Sequence, residues 1–225
     1  MRPLFTVHAG EFLVGEFIEK SFPTLNVWIP SKDTGIDLLV TNKKNSATVS
    51  LQVKLSRDYK APEAANDFDR SLVAAGWLTL AHDKIAKSTA DYWVIVLVSH
   101  ERKMQPQFIV IPPSELLNRL VSTHGQSKNY QVYPWVTKSK VALEGRGLLK
   151  AEKKALAAGS LTLGDRDLST FLGDWSALQR IAKTPRSLTW RSTSLPSVAR
   201  RCAIKPRSAG HLYVGHLNQS ALYRK

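Results

Sequence analysis

Residues 35–55 read GIDLLVTNKKNSATVSLQVKL, and the fold prediction starts from this stretch. The apolar run at 36–41 predicts one strand, and the polar residues 42–46 predict a hairpin turn. Residues 48–55 then alternate strictly between polar and apolar side chains, which predicts a second strand. Because side chains alternate between the two faces of a strand, we expect Gln52 and Lys54 to share one face.

Asp37 lies at the start of the first of these strands, fifteen positions before Gln52. If the two strands pair, the hairpin offers a carboxylate, an amide oxygen, the backbone carbonyl of Val53 and the ammonium group of Lys54. Mg²⁺ prefers oxygen ligands of this kind, and a bound divalent ion activates water and offsets charge on a phosphate. Lys54 can orient the attacking water or counter the developing charge. These residue types suit phosphodiester hydrolysis.

The surrounding sequence indicates alternating helices and strands, and therefore an α/β fold. Residues 9–22 form an amphipathic pattern that predicts a helix with Glu11 in its first turn. Residues 92–98 (YWVIVLV) predict a buried central strand. We further expect strands at 26–30 and 108–111. A helix is expected within 61–86, interrupted by Gly76, and another begins at Ser114 as its capping residue. A weaker helical pattern covers 143–158, and a final short helix is expected at 169–178 with Trp175 as an anchor.

The order of a helix carrying glutamate, a GID strand and a QVK strand resembles the PD-(D/E)xK, or restriction-endonuclease-like, superfamily. The resemblance covers roughly residues 8–178 and is strongest over 8–56. It implies a three-layer α/β/α core with a central mixed sheet, and metal-dependent cleavage of DNA. It also implies that Glu11, Asp37, Gln52 and the Val53 carbonyl hold Mg²⁺ or Mn²⁺, while Lys54 assists the nucleophile. Gln52 departs from the commonest pattern, which has glutamate there, so Glu11 and Asp37 would supply the negative charge.

Plainer interpretations stay open for each of these residues. Asp37 after a glycine is also typical of turns, and Glu11 suits the first turn of any helix. Gln52 and Lys54 also suit the solvated face of a strand. A rival hypothesis is therefore a non-catalytic nucleic-acid-binding module on the same fold, in which Gln52 marks a weakened metal site. A second rival is an interaction or structural protein.

The chain is basic, with 32 Lys or Arg against 18 Asp or Glu and a net charge of +14. Such a charge favours a polyanion partner, and DNA is the partner we expect. Residues 183–225 hold nine of the basic residues and no acidic ones. We therefore expect a nuclease-like domain at 1–180 and a basic, disordered tail at 181–225, which is either a DNA-binding arm or a non-functional extension. The expected phosphate contacts are Lys43, Lys44, Arg57 and Lys60.

Other site classes are excluded or disfavoured by the sequence. Cys202 is the single cysteine, which excludes an intrachain disulfide and a cysteine-based zinc site and fits a cytoplasmic protein. The longest strongly apolar run, 93–98, is too short to span a bilayer, and the N-terminus does not resemble a signal peptide. Nucleoside-triphosphate, dinucleotide and serine-hydrolase motifs are also missing from the sequence. Many relatives in the resembled superfamily act as dimers, so a homodimer is possible.

Overall fold

A computed structural model of the chain describes residues 8–32, 34–58, 67–98 and 105–183. The described helices are α1 (Ala9–Ser21), α2 (Asp67–Ser71), α3 (His82–Ala86), α4 (Pro113–His124), α5 (Lys150–Ala157) and α6 (Ser176–Lys183), with short 3₁₀ turns at Gly164–Arg166 and Ser169–Phe171. The described strands are β1 (Leu25–Trp28), β2 (Leu38–Asn42), β3 (Thr48–Leu55), β4 (Arg57–Asp58), β5 (Leu72–Ala81), β6 (Tyr92–Leu97), β7 (Gln107–Ile111), β8 (Asn129–Val132), β9 (Pro134–Thr137) and β10 (Ala142–Glu144). This mixture of helices and strands confirms the predicted α/β class.

The first sheet has the strand order β1-β2-β3-β6-β7. Its pairs are antiparallel except β3 and β6, which run parallel, so the sheet is mixed as predicted. The β2–β3 hairpin pairs Leu38 with Leu51 and Thr41 with Thr48. The predicted hairpin is therefore confirmed, and β3 occupies the predicted residues 48–55.

Both faces of the first sheet are covered. On one face, Leu51 and Val53 of β3 belong to a core cluster that also contains Val14 and Ile18 of α1 and residues of α6. On the other face, Trp93 of β6 belongs to a cluster with residues of α3, α4 and the strands β5, β8 and β9. The predicted buried strand at 92–98 is thus confirmed, because β6 is enclosed from both sides.

The helical prediction for residues 61–86 is wrong over its centre. The short helices α2 and α3 flank β5, a ten-residue strand that pairs with β4, β8 and β9. The alanines and leucines of 72–81 are good helix formers, but pairing on both edges outweighs that local preference. Gly76 lies within β5, where a Cβ atom would sit 2.6 Å from Ser56 Cβ and 2.9 Å from Leu97 Cδ2. The missing side chain lets β5 approach β6 closely, and Gly76 does not interrupt a helix.

The second sheet, β10-β9-β5-β4 with β8 paired to β5, is antiparallel and was not predicted from the sequence. Two further helix predictions also need correction. Of the predicted helix at 143–158, residues 143–144 belong to strand β10 and only Lys150–Ala157 is helical. Ser114 does not cap α4. The N-cap residue of α4 is Pro112, and no side chain makes a capping hydrogen bond there.

The predicted helix at 169–178 is a 3₁₀ turn followed by α6, and its predicted anchor is confirmed. Trp175 is 6% exposed and stacks on Phe17 of α1, with 5.1 Å between ring centroids. Helix α6 continues to Lys183, beyond the expected domain boundary at 180, while the rest of the expected tail lies outside the described residues. In the described part of the chain, none of the helices has the length and apolar composition needed to cross a bilayer.

Candidate functional site

The centre of the candidate site is Asp37, which lies immediately before β2. Its backbone N–H donates to the Leu51 carbonyl at 2.8 Å, so the hairpin pairing extends to this residue. Its Oδ2 atom accepts a hydrogen bond from the Val53 backbone N–H at 2.7 Å and another from Gln52 Nε2. The half-buried carboxylate is therefore held against β3, as the hairpin prediction required.

Glu11 is brought to the same place by the close approach of α1 to β3. A Cβ atom on Gly10 would lie 3.1 Å from Leu55 Cβ and 3.2 Å from Val53 Cγ1, so the glycine lets the first turn of α1 rest on the strand. Glu11 is only 8% exposed, and its Oε2 accepts the backbone N–H of His8 at 3.1 Å. This bond satisfies one N-terminal donor and holds the glutamate in place.

Lys54 is placed over an aromatic ring of the neighbouring strand. In the parallel pairing of β3 and β6, Gln52 is opposite Trp93, so the side chains of Gln52, Lys54 and Trp93 lie on one side of the sheet. The Lys54 ammonium lies 5.3 Å from the centre of the Trp93 ring, within the range of a cation–π contact. The Trp93 indole N–H donates to Ser88 Oγ at 2.8 Å, which fixes the ring beneath the lysine.

The five residues that the sequence suggested as catalytic or metal-binding all line a single cleft of about 810 Å³. Glu11 contributes from α1, Asp37 from the segment before β2, and Gln52, Val53 and Lys54 from β3. Buried or half-buried polar groups that converge in a cleft are the usual form of a catalytic or binding site. The structure thus brings together the residues that the sequence spacing suggested.

The atoms of this site suit a hard divalent cation. Asp37, Glu11 and Gln52 each carry a side-chain oxygen that the hydrogen bonds above leave unused, and Val53 adds a backbone carbonyl. Because Gln52 donates through Nε2 to Asp37, its Oε1 is directed elsewhere, 3.8 Å from where a Cβ of Gly35 would be. An all-oxygen set fits Mg²⁺ or Mn²⁺. Over residues 8–32, 34–58, 67–98 and 105–183, no group of three or more His, Cys, Asp or Glu forms a candidate metal cluster.

Two of the four residues expected to contact phosphates, Lys43 and Lys44, lie outside the cleft. Both are exposed in the β2–β3 turn, about 20 Å along the hairpin from Asp37 at the usual rise per residue. Arg57 belongs to β4, and Lys60 lies outside the described residues. Their role in DNA binding stays a prediction.

The cleft also contains residues that the sequence did not single out. Asp83 and Lys84 of α3, with Lys87, Ser88 and Thr89 after it, form part of the lining. The sequence gives no signal for them, because the pattern of 61–86 predicts helix and because neither β3 nor β6 alone shows that the two strands pair in parallel. Comparison with known proteins gives no relative: no family model, curated protein or solved structure matches the chain.

Proposed function

We propose that this chain is a metal-dependent endonuclease that hydrolyses DNA phosphodiester bonds. The observation that carries the proposal is the convergence of Glu11, Asp37, Gln52 and Lys54 in one cleft, on a helix and a hairpin distant from each other in sequence. Two carboxylates, an amide and an amine in one cleft suit phosphate chemistry better than they suit a solvated surface.

A restriction-endonuclease-like core is part of this proposal. The elements that support it are α1, the β2–β3 hairpin and the parallel strand β6, in that order along the chain. Helices α1 and α6 cover one face of the sheet, and α3 and α4 pack on the other face. The second sheet, which is antiparallel, is an addition to such a core.

The residues have separate roles in the proposed reaction. Glu11 and Asp37 would hold Mg²⁺ or Mn²⁺ together with the Gln52 amide oxygen and the Val53 carbonyl. The bound ion would lower the pKa of a water and offset phosphate charge. Lys54, held over Trp93, orients the attacking water and counters negative charge that develops on the phosphate. Gln52 keeps Asp37 in position through its amide N–H.

The test is cleavage of plasmid, linear and branched DNA by the purified chain with Mg²⁺ or Mn²⁺. We expect cleavage that EDTA stops and that Lys54→Ala and Asp37→Asn each reduce by about a hundred-fold or more. Lys54→Ala removes a positive charge that stabilises the reacting phosphate, and Asp37→Asn removes a negative ligand of the proposed metal. Lys154→Ala, an exposed lysine of α5 outside the cleft, is the control and should retain full activity. Absence of cleavage on all three substrates, or full cleavage by Lys54→Ala, would contradict the proposal.

One observation favours a second candidate, a DNA-binding module without catalysis. The Gln52 amide and the Val53 N–H both donate to Asp37 Oδ2, so one oxygen of that carboxylate is satisfied without a metal. Calorimetry with Mn²⁺ separates the two functions. The nuclease binds Mn²⁺ at this site and loses that binding in Asp37→Asn, whereas the module binds DNA without binding Mn²⁺.

A further inference from the structure

The cleft has a second group of lining residues that belongs to α3 and the segment after it. Lys84, Lys87 and Thr89 are exposed there. Within the described residues, the Lys84 ammonium and the Thr89 hydroxyl make no hydrogen bond or ion pair. The Lys87 ammonium pairs only with the Asp83 carboxylate there, at 3.3 Å. Two ammonium groups and a hydroxyl therefore face a cleft whose other part carries the carboxylates of Glu11 and Asp37.

This segment is held firmly to the strand that carries Gln52. Asp91 Oδ2 accepts hydrogen bonds from the Ser50 backbone N–H and from Ser50 Oγ, each at 2.7 Å. The Asp91 N–H donates in return to Ser50, at 3.1 Å to its carbonyl and 3.0 Å to its Oγ. The Trp93–Ser88 bond ties the same segment to β6. The segment that follows α3 and contains Thr89 is thus tied to the strands β3 and β6.

Lysine and threonine side chains are typical partners of backbone phosphates, which they position without reading sequence. The carboxylates of Glu11 and Asp37 repel a phosphate, so a DNA strand needs cations elsewhere in the cleft to enter it. We propose that Lys84, Lys87 and Thr89 form a wall that binds the phosphates next to the scissile one and so positions a DNA strand across the site. This proposal rests on the proposed function and names a binding subsite for it.

Asp83 opposes binding at this wall. Its hydrogen bonds to Lys87 and His82 hold the pKa of the exposed carboxyl below its usual range, so Asp83 stays charged at neutral pH. A charged Asp83 both occupies Lys87 and repels a phosphate. Removal of its charge by Asp83→Asn therefore strengthens DNA binding, by about two-fold for an exposed pair.

The experiment measures binding of a short fluorescein-labelled DNA duplex to the full chain by fluorescence anisotropy, in EDTA and over a series of NaCl concentrations. The Lys84→Ala/Lys87→Ala protein should show a slope of log affinity against log salt that is smaller by about 2, one unit for each lost phosphate contact. The weakening should be the same for unrelated DNA sequences. The control is Lys150→Ala/Lys154→Ala on α5, which removes the same charge outside the cleft.

The two proposals fail in different ways. If the salt slope falls as stated but DNA is never cleaved with Mg²⁺ or Mn²⁺, the wall stands and the nuclease proposal is wrong. If the chain cleaves DNA but the cleft and control double variants have equal slopes, the wall is wrong and the nuclease proposal stands. Weaker binding by Asp83→Asn, or no binding of the duplex by the unaltered chain, would also overturn the wall.

Discussion

At the scale of single residues, the contact between Gln52 and Asp37 has the clearest consequence. Gln52 donates a hydrogen bond to the Asp37 carboxylate, which a glutamate at the same position cannot do when ionised. An ionised glutamate here would place a second negative charge beside Asp37, and a bound cation would offset their repulsion. In the hairpin, the Asp37 carboxylate thus has a hydrogen-bond donor from the side chain of residue 52.

Gln52→Glu should make stability depend on a divalent cation. Two adjacent carboxylates repel each other. In EDTA, we therefore expect the free energy of unfolding of Gln52→Glu to be about 1–3 kcal/mol below that of the unaltered chain, and to recover when Mn²⁺ is added. Thermal unfolding in EDTA and in MnCl₂ measures both effects. The control is Gln131→Glu, an exposed position on β8, which should respond to neither condition. Equal unfolding temperatures of Gln52→Glu with and without Mn²⁺ would contradict the assigned metal ligands.

The contact of Lys54 with Trp93 is also testable by itself. A double-mutant cycle with Lys54→Met and Trp93→Leu should give a coupling energy of about 0.5–2 kcal/mol, because the ring is buried and the ammonium lies over it. Urea unfolding of the four proteins gives this value. The control cycle pairs Lys54→Met with Tyr130→Leu, a buried ring outside the cleft, and should give no coupling. A coupling energy of zero in the first cycle would show that Trp93 does not hold Lys54.

At the scale of elements, β5 is the segment where local preference and structure disagree. Gly76→Ala should lower the free energy of unfolding by about 1–3 kcal/mol, since the added methyl group would overlap Ser56 and Leu97 in a packed region. The matched control is Gly15→Ala within α1, where a Cβ meets only Val27 Cγ1 at 3.9 Å. Because alanine favours a helix over glycine, Gly15→Ala should stabilise the chain by about 0.5–1 kcal/mol.

Chemical denaturation of the two variants distinguishes a strand from a helix at residues 72–81. If this segment were the helix that its composition suggests, Gly76→Ala would stabilise the chain as Gly15→Ala does. A gain in stability from Gly76→Ala would therefore contradict the strand β5 and its close approach to β6.

At the scale of the whole molecule, the basic charge separates into two parts. Residues 184–225 carry eight of the 32 basic residues and no acidic ones. A chain ending at Lys183 should unfold at the same temperature as the full chain, because Trp175 of the segment before α6 and Leu178 of α6 are already buried in the core. Its affinity for DNA should fall but remain dependent on salt, since the wall at Lys84 and Lys87 is retained. Calorimetry and anisotropy on both chains measure these effects.

The same truncation tests the remaining rival hypothesis. An interaction or structural protein would owe its DNA affinity to residues 184–225, so that salt-dependent binding would vanish in the shorter chain. A large drop in unfolding temperature would instead show that the expected boundary near residue 180 is misplaced.

Features that depend on local periodicity could be predicted from the amino-acid sequence alone. The strict alternation of β3 predicted the strand and the shared face of Gln52 and Lys54, and the spacing to Asp37 predicted the hairpin contact. The first turn of α1, with Glu11 in it, was found from the apolar stripe of the same helix. These signals lie within about fifteen residues, where side-chain period and turn chemistry decide the structure.

The remaining features depend on pairing between distant segments, which local sequence patterns do not specify. The parallel pairing of β3 with β6 placed Trp93 beneath Lys54, and neither strand encodes its partner. The strand β5 formed against its helical composition because β4, β8 and β9 pair with it. The partners in β8 and β9 lie 48 to 65 positions later in the chain. The segment after α3, which lines the cleft, is bonded to β3 through Asp91 and Ser50, two residues 41 positions apart. Backbone pairing and burial over such separations outweigh the preferences of individual residues.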